Sequence, residues 1–377
     1  VANEWSILMT TDKDTGVALR VAIIGGGASI THLHLQALAQ LPGVRVVGMS
    51  DLNVEPGATR AREIDSPFFT DHRTMLAETR PDVAVICTPH PSHAALTLDC
   101  FAAGAHVLVE KPIAVEVAEA DAMIEAANKA GRILAVNFQQ RFRPVVEYAR
   151  AFVERGELGA LVRVLCIEPW YRTAAYYRAA SWRGTWRGEG GGVLMNQAPH
   201  TLDLLCHVAG MPRKVWGWTR TFQHAIECED TAQAMLEFDN GAPGYLHINT
   251  VEARARSLLQ IVGDQASLEL SGNQLTIKRF EPSLSVFRET SPEFFSTPNV
   301  HVETLDLPDT EIAGHLAVYH DLAQAIAEGR PPRADGREAL MSLELADAII
   351  FSSFAERSVT LPLDRAAYSE LLGRLRS

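Results

Sequence analysis

Three short stretches of the chain hold residue types that chemistry requires. Gly25-Gly26-Gly27-Ala28-Ser29-Ile30 follows an apolar run, Leu19–Ile24, and precedes a helical pattern over His32–Leu41. Glycines at such a junction let the backbone turn tightly against a pyrophosphate, whose charge the helix N-terminus then receives. Gly25 and Gly27 fill the first two places of G-x-G-x-x-G, but the third is Ile30, whose branched side chain predicts a slightly different helix start. Asp51 closes the second apolar run, where an acid can accept a hydrogen bond from a ribose 2′-hydroxyl. No Arg or Lys lies within Leu52-Asn53-Val54-Glu55 to receive a 2′-phosphate, which favours NAD over NADP.

The second stretch is Glu110-Lys111-Pro112, directly after the run Ala105–Val109. In a doubly wound sheet ligands sit at the carboxyl ends of the strands, so Lys111 is expected to face the cofactor cleft. An ammonium there can hydrogen-bond a reacting oxygen and stabilise alkoxide character as hydride leaves carbon. The third stretch runs from Gly190 to Asp203. If Leu194–Val208 is one helix, Asn196, His200, Asp203 and His207 share a face. A His flanked by an amide and a carboxylate can keep a defined tautomer and shuttle a proton. Pro199 predicts a turn or kink beside His200, and His207, followed by Val208-Ala209, reads as a core residue. There is no His-Glu-x-x-His pair and no cysteine cluster, so no metal site is expected.

These groups need elements to position them. Leu19–Ile24, Val44–Met49, Asp82–Thr88, Ala105–Val109 and Arg132–Asn137 are strand-sized and nearly all apolar, with helical segments between them. That alternation predicts a parallel sheet with helices on both faces. After residue 140 the pattern changes. Leu161–Tyr171, Lys214–Phe222, Thr231–Phe238, Gly244–Val251, Ser257–Val262, Ala266–Leu270 and Gln274–Phe280 are strand candidates joined by turns such as Asp239-Asn240-Gly241. Alternation at Ala232, Ala234, Leu236 and Phe238 predicts a largely antiparallel sheet with one covered face and one open face. Residues 282–310 read as irregular, and His315–Glu328 and Arg337–Phe354 as helices.

Length and composition agree with two domains. The 377 residues exceed what one core fills, and the net charge of −12 without a basic run excludes a nucleic-acid surface. No apolar stretch reaches the roughly 18 residues of a membrane span. Five scattered cysteines form no disulfide framework and suit a reducing cytoplasm. Residues 1–16 lack the regions of a signal peptide and read as a leader or tail outside the fold.

In this order and spacing the chain resembles the glucose–fructose oxidoreductase / inositol dehydrogenase / rhizopine catabolism family. The resemblance spans nearly all of residues 19–363. It rests on the glycine turn, Thr88-Pro89 with His93, Glu110-Lys111-Pro112, Asn137 followed by Arg141 and Pro144, and the Gly190–Asp203 segment. Trp182-Arg183-Gly184-Thr185-Trp186 resembles members acting on sugars and sugar nucleotides.

The resemblance implies an α/β architecture: an N-terminal Rossmann dinucleotide-binding domain over 17–140, and a C-terminal α+β domain with a large, mostly antiparallel open sheet over 141–363. A C-terminal helix is expected over 364–377. It implies catalytic groups at Lys111 and His200. Where inositol dehydrogenase-like members carry Asp four residues before that His, this chain has Asn196, which cannot accept a proton and suits a substrate hydroxyl. NAD is then expected across the ends of the first three strands, held by Gly25, Gly27, Ala28, Ser29, Ile30, Asp51, Thr88, Pro89, His93, Glu110, Lys111 and Asn137. Asn196, Asp203, Arg141, Trp182 and Arg187 are the expected substrate contacts.

The implied reaction is hydride transfer at a secondary alcohol of a sugar, anhydrosugar, sugar derivative or cyclitol, in a cytoplasmic homodimer or homotetramer. Two alternatives are an NAD-dependent glycosidase with transient oxidation and a non-catalytic NAD(P)-sensing regulator.

Overall fold

Near-continuous apolar runs drive the first sheet of the computed structural model, which describes residues 18–253 and 256–377. The leader expected at 1–16 lies outside the described residues. Six parallel strands form: β1 (Leu19–Ile24), β2 (Val44–Ser50), β3 (Phe68–Phe69), β4 (Val83–Ile86), β5 (His106–Val109) and β6 (Leu134–Val136). Their order is β3-β2-β1-β4-β5-β6, so the winding reverses between β1 and β4. A crevice opens at such a reversal, outside the carboxyl ends of the strands. All four residues of β4 are buried, and burying each of its two Val and one Ile side chains contributes about 1.5–3 kcal/mol. The strand missing from the expected set is β3. It has two residues, paired as Met49↔Phe68 and Ser50↔Phe69, too few to show a period.

The described residues fall into two units. The first holds the chain up to Ala114, Glu119–Phe142 and Asp309–Leu340; the second holds Val115–Ala118, Arg143–Pro308 and Met341–Ser377. The helix Gly314–Glu328 completes the first core, with Leu316, Tyr319, Leu322 and Ala323 buried in the same cluster as Val21, Ile23 and Leu38.

The second unit is built on nine strands: β7 (Leu161–Pro169), β8 (Lys214–Arg220), β9 (Thr231–Glu237), β10 (Pro243–Asn249), β11 (Leu258–Gly263), β12 (Ala266–Ser271), β13 (Gln274–Glu281), β14 (Asn299–Asp306) and β15 (Val359–Thr360). The order is β14-β13-β12-β11-β7-β10-β9-β8-β15. Only β7 and β10 pair in parallel. Helices Pro144–Glu154, Val193–Asn196 and Pro199–Ala209 pack on one face. Ala232, Ala234 and Leu236 of β9 point into that core, while Met235 is 65% exposed.

Residues 282–310, expected to be irregular, instead contain the helix Leu284–Thr290 and the edge strand β14. Seven of the eight β14 residues are exposed, so the strand lacks the buried apolar face that would have marked it. Among the described residues no helix is long and apolar enough to cross a membrane.

Candidate active site

The glycine turn follows β1 at the sheet reversal. Gly25 has φ +94°, and a Cβ there would stand 2.9 Å from the Cys87 carbonyl carbon, so only glycine fits. A Cβ on Gly27 would meet Asp51 Oδ2 at 3.0 Å. Asp51 braces the turn by accepting the Gly27 amide at 2.7 Å and, on its other oxygen, the Asn53 amide at 2.7 Å. Ile30 keeps right-handed helical geometry as the residue before the helix Thr31–Leu38 and packs on the core, so the turn absorbs the missing third glycine.

Two residues not singled out from sequence also hold the turn. Thr31 Oγ1 donates to the Gly25 carbonyl at 2.8 Å, and Arg60 donates to the carbonyls of Gly26 and Ala28 at 2.7 and 2.6 Å. Among the described residues the amides of Ser29 and Ile30 meet no protein acceptor. Two N–H donors at a helix start, beside glycines that admit no side chain, fit a pyrophosphate.

Lys111 follows β5, joined to Pro112 by a cis peptide. Its amide donates to Glu110 Oε2 at 3.2 Å. Glu110 is buried, and its Oε1 accepts from Asn137 Nδ2 at 2.5 Å and from His34 Nε2 at 2.9 Å. His34 Nδ1 in turn lies 2.8 Å from the Tyr319 hydroxyl. Burial raises the Tyr319 hydroxyl well above its ordinary range, so it keeps its proton. His315 Nε2 stands 3.8 Å from Glu110, an ion-pair distance rather than a hydrogen bond. Burial opposes the charge of Glu110, yet the imidazoles of His315 and His34 and the Lys111 ammonium hold its carboxyl well below the usual range.

His34, Glu110 and His315 converge closely enough to hold a cation. The Tyr319–His34–Glu110–Asn137 chain already accounts for this group as a hydrogen-bonded brace. His93 is fully buried, its ring nitrogens 2.9 Å from the Pro112 carbonyl and 2.8 Å from the Thr88 carbonyl. Burial pushes its pKa down, against those two carbonyls. It ties the Lys111-Pro112 turn to the loop after β4, where Thr88 Oγ1 meets Ser92 Oγ at 2.6 Å and Pro89 precedes a short 3-10 turn.

The single helix expected over Leu194–Val208 is two: Val193–Asn196 and Pro199–Ala209. Pro199 lacks an amide to continue the first helix and instead opens the second, where the missing donor costs nothing. His200, Asp203 and His207 share the second helix, with His200 half-buried and Asp203 1% exposed. Asn196 ends the first helix.

Glu229, absent from the sequence-based set, fixes this segment. Its Oε1 accepts the amides of Gly192 at 2.9 Å and Leu194 at 3.0 Å, and its carbonyl accepts Val193 at 2.9 Å. Burial pushes its carboxyl up to about 7, against the pull of those amides. An acid whose folded pKa lies above its unfolded value binds more protons when folded, so stability falls as pH rises between about 4.5 and about 7. Glu229→Gln keeps an acceptor for both amides and should flatten that slope in denaturant titrations run across the window.

The expected substrate contacts separate. Arg141 is 1% exposed, donates to the Arg333 carbonyl at 2.9 Å, pairs with Glu338 and lies 5.8 Å from the Phe138 ring centroid. A guanidinium so enclosed braces the 333–338 segment. Arg187 is exposed and donates to the Arg376 carbonyl at 3.2 Å. Trp182 is half-buried, 4.5 Å from the Arg183 guanidinium. Asn196 Nδ2 donates to the Tyr176 hydroxyl at 3.2 Å and also contacts buried Glu189. Tyr176, Gln197, Arg172 and Arg183 cluster beside Asn196, and no spacing in the chain announces that grouping.

The chain matches the model of the oxidoreductase family with an NAD-binding Rossmann fold, GFO_IDH_MocA, over residues 19–138, and the GFO/IDH/MocA C-terminal domain over 146–269. D-glucoside 3-dehydrogenase of Escherichia coli (strain K12) is 28% identical over 284 residues, covering 68% of this chain and 78% of that protein. Myo-inositol 2-dehydrogenase of Thermotoga maritima is 23% identical over 358 residues, 91% of this chain and 98% of that protein. The WlbA dehydrogenase of Bordetella pertussis, solved with NADH and UDP-GlcNAcA, matches with a TM-score of 0.78 at 28% identity, covering 92% of this chain and all of that one.

Proposed function

Because the chain belongs to the GFO/IDH/MocA oxidoreductases with an NAD-binding Rossmann fold, we propose that it is a dehydrogenase whose substrate is a secondary alcohol on a sugar, sugar derivative or cyclitol ring. NAD, when bound, supplies the hydride acceptor. The turn of Gly25–Ile30 would hold its pyrophosphate and Asp51 its ribose. The first unit would carry the cofactor role and the second the substrate role.

One observation carries the reading most strongly: Lys111 emerges from β5 on a backbone braced by buried Glu110, His34 and Asn137, in the sheet whose order reverses at the glycine turn. Such bracing limits the reorganisation needed when charge develops on the alcohol oxygen. In this reading the Lys111 ammonium hydrogen-bonds that oxygen, and His200 or neutral Lys111 takes its proton. Asn196 hydrogen-bonds a neighbouring hydroxyl. His93 and Glu110 act through the turn and are positioning residues. Relatives named for oxidation of a glucoside and of myo-inositol support a polyhydroxylated ring.

The test is absorbance at the reduced-nicotinamide band across pyranoses, anhydrosugars, sugar nucleotides and inositols. Stoichiometric NADH formation with at least one of them is expected. Product release without NADH, or no turnover on the whole panel, removes the dehydrogenase reading.

A cytoplasmic homodimer or homotetramer completes the proposal. All five cysteines are free and buried, as suits a reducing compartment. Trp216, Met235 and Tyr245 lie in register across β8, β9 and β10, exposed by 58%, 65% and 38%. An apolar row of this kind favours a self-association surface. Met235→Asp should shift the sedimentation coefficient to that of the monomer; an unchanged value excludes this row from the interface.

A further inference from the structure

Two guanidiniums share one tyrosine ring in the second unit. Arg183 stands 4.2 Å and Arg172 5.1 Å from the Tyr176 centroid, and Arg183 also covers Trp182 at 4.5 Å. Stacking holds the planar donor fork in place, so little freedom is lost when it grips a ligand. Tyr176, Arg172 and Arg183 are all half-buried.

The hydrogen bonding around the ring has more donors than acceptors. The Tyr176 hydroxyl faces Gln197 Nε2 at 3.0 Å, Asn196 Nδ2 at 3.2 Å and an Arg183 nitrogen. A phenolic oxygen has two lone pairs and a proton of its own to place. One donor must therefore turn elsewhere. Among the described residues neither Arg172 nor Arg183 pairs with a carboxylate. The nearby Glu189 is engaged by the Gly184 amide and Asn196. In a chain of net charge −12, two adjacent cations without a carboxylate partner are a specific arrangement.

We infer that Arg172 and Arg183 form an anion subsite beside Asn196 and Gln197, and that the substrate is an acidic or phosphorylated member of the sugar class. This rests on the dehydrogenase reading and deepens it. Asn196 and Gln197 immediately precede the helix that carries His200. The subsite thus lies next to the segment assigned to the reacting alcohol. The shared chemistry is an oxyanion matched to the two forks. A carboxylate on the ring and a phosphoryl group on the anomeric oxygen are its two sources.

The experiment is calorimetric titration of the NADH-loaded protein with D-glucose, D-glucuronate and D-glucose 1-phosphate, and with the galactose and mannose counterparts. At least one anion should bind about tenfold or more tightly than its neutral parent, and the preference should weaken as salt rises. Preference for the uronate identifies a carboxylate, and preference for the phosphate a phosphoryl group.

Arg183→Met and Arg172→Met should each erase the preference, and Arg183→Lys should restore part of it. Circular dichroism spectra matching wild type keep those losses interpretable. Anions that bind no better than neutral sugars in every series overturn the subsite, as does a preference that survives both Met variants. NADH formation from neutral sugars alone would leave the dehydrogenase standing and remove only the anion site. Anion binding through both arginines, with no NADH formed by any alcohol, would do the reverse.

Discussion

Lys111→Met should lose on the order of a hundredfold or more in turnover while NAD affinity stays nearly intact. Methionine keeps the unbranched apolar stem, one atom shorter, and removes the charged donors. The backbone at this position is held independently, through the Lys111 amide on Glu110 and through His93 on the Pro112 carbonyl. The turn therefore survives, and the loss reports the interaction with a developing alkoxide. An interaction made mainly in the transition state lowers kcat and kcat/KM together. Steady-state NADH formation on the best substrate, with nicotinamide fluorescence titration for binding, gives both numbers. Full activity in the variant would take Lys111 out of the mechanism. A raised KM at unchanged kcat would reduce it to a binding residue.

Gly192→Ala should be the most damaging of the simple changes in the second unit. A Cβ there would lie 1.9 Å from the Glu229 carbonyl oxygen and 2.8 Å from its carbonyl carbon. Both obstacles are backbone, and that same oxygen accepts the Val193 amide, so no side chain can swing aside. The cost should reach or exceed the roughly 1–3 kcal/mol of ordinary core overpacking. The helix carrying His200 lies just beyond this contact. Activity and melting temperature should therefore fall together. Gly131→Ala serves as the contrast, since its φ is +60° with nothing within 4 Å. Only conformational strain applies there, about 1–2 kcal/mol. Similar melting temperatures for the two variants would contradict the packing argument.

Much of the first unit was legible in one dimension because its signals are local. A buried parallel strand must be apolar along its length, and a phosphate turn must place glycines between strand and helix. Both demands fall within a few residues, so β1, the turn and Asp51 could be read directly. Lys111 was legible for the same reason, as the residue following an apolar strand. The two-residue β3 and the exposed β14 escaped because neither displays a buried face. Pro199 announced the break beside His200, but whether it kinked one helix or began another depended on packing.

The sequence by itself determined the cofactor class and the strand–turn–helix expected to receive it, because each follows from neighbours along the chain. Tertiary structure alone decided which cations are enclosed as braces and which stack on an aromatic ring. Arg141 and Arg183 look alike in the sequence, yet one is enclosed with Glu338 and the other stacks on Tyr176 with no carboxylate partner among the described residues. Likewise His34, Glu110 and His315 meet only because the helix Gly314–Glu328 belongs to the first unit. A charged side chain takes its role from partners within a few ångströms in space, and chain connectivity leaves those partners open.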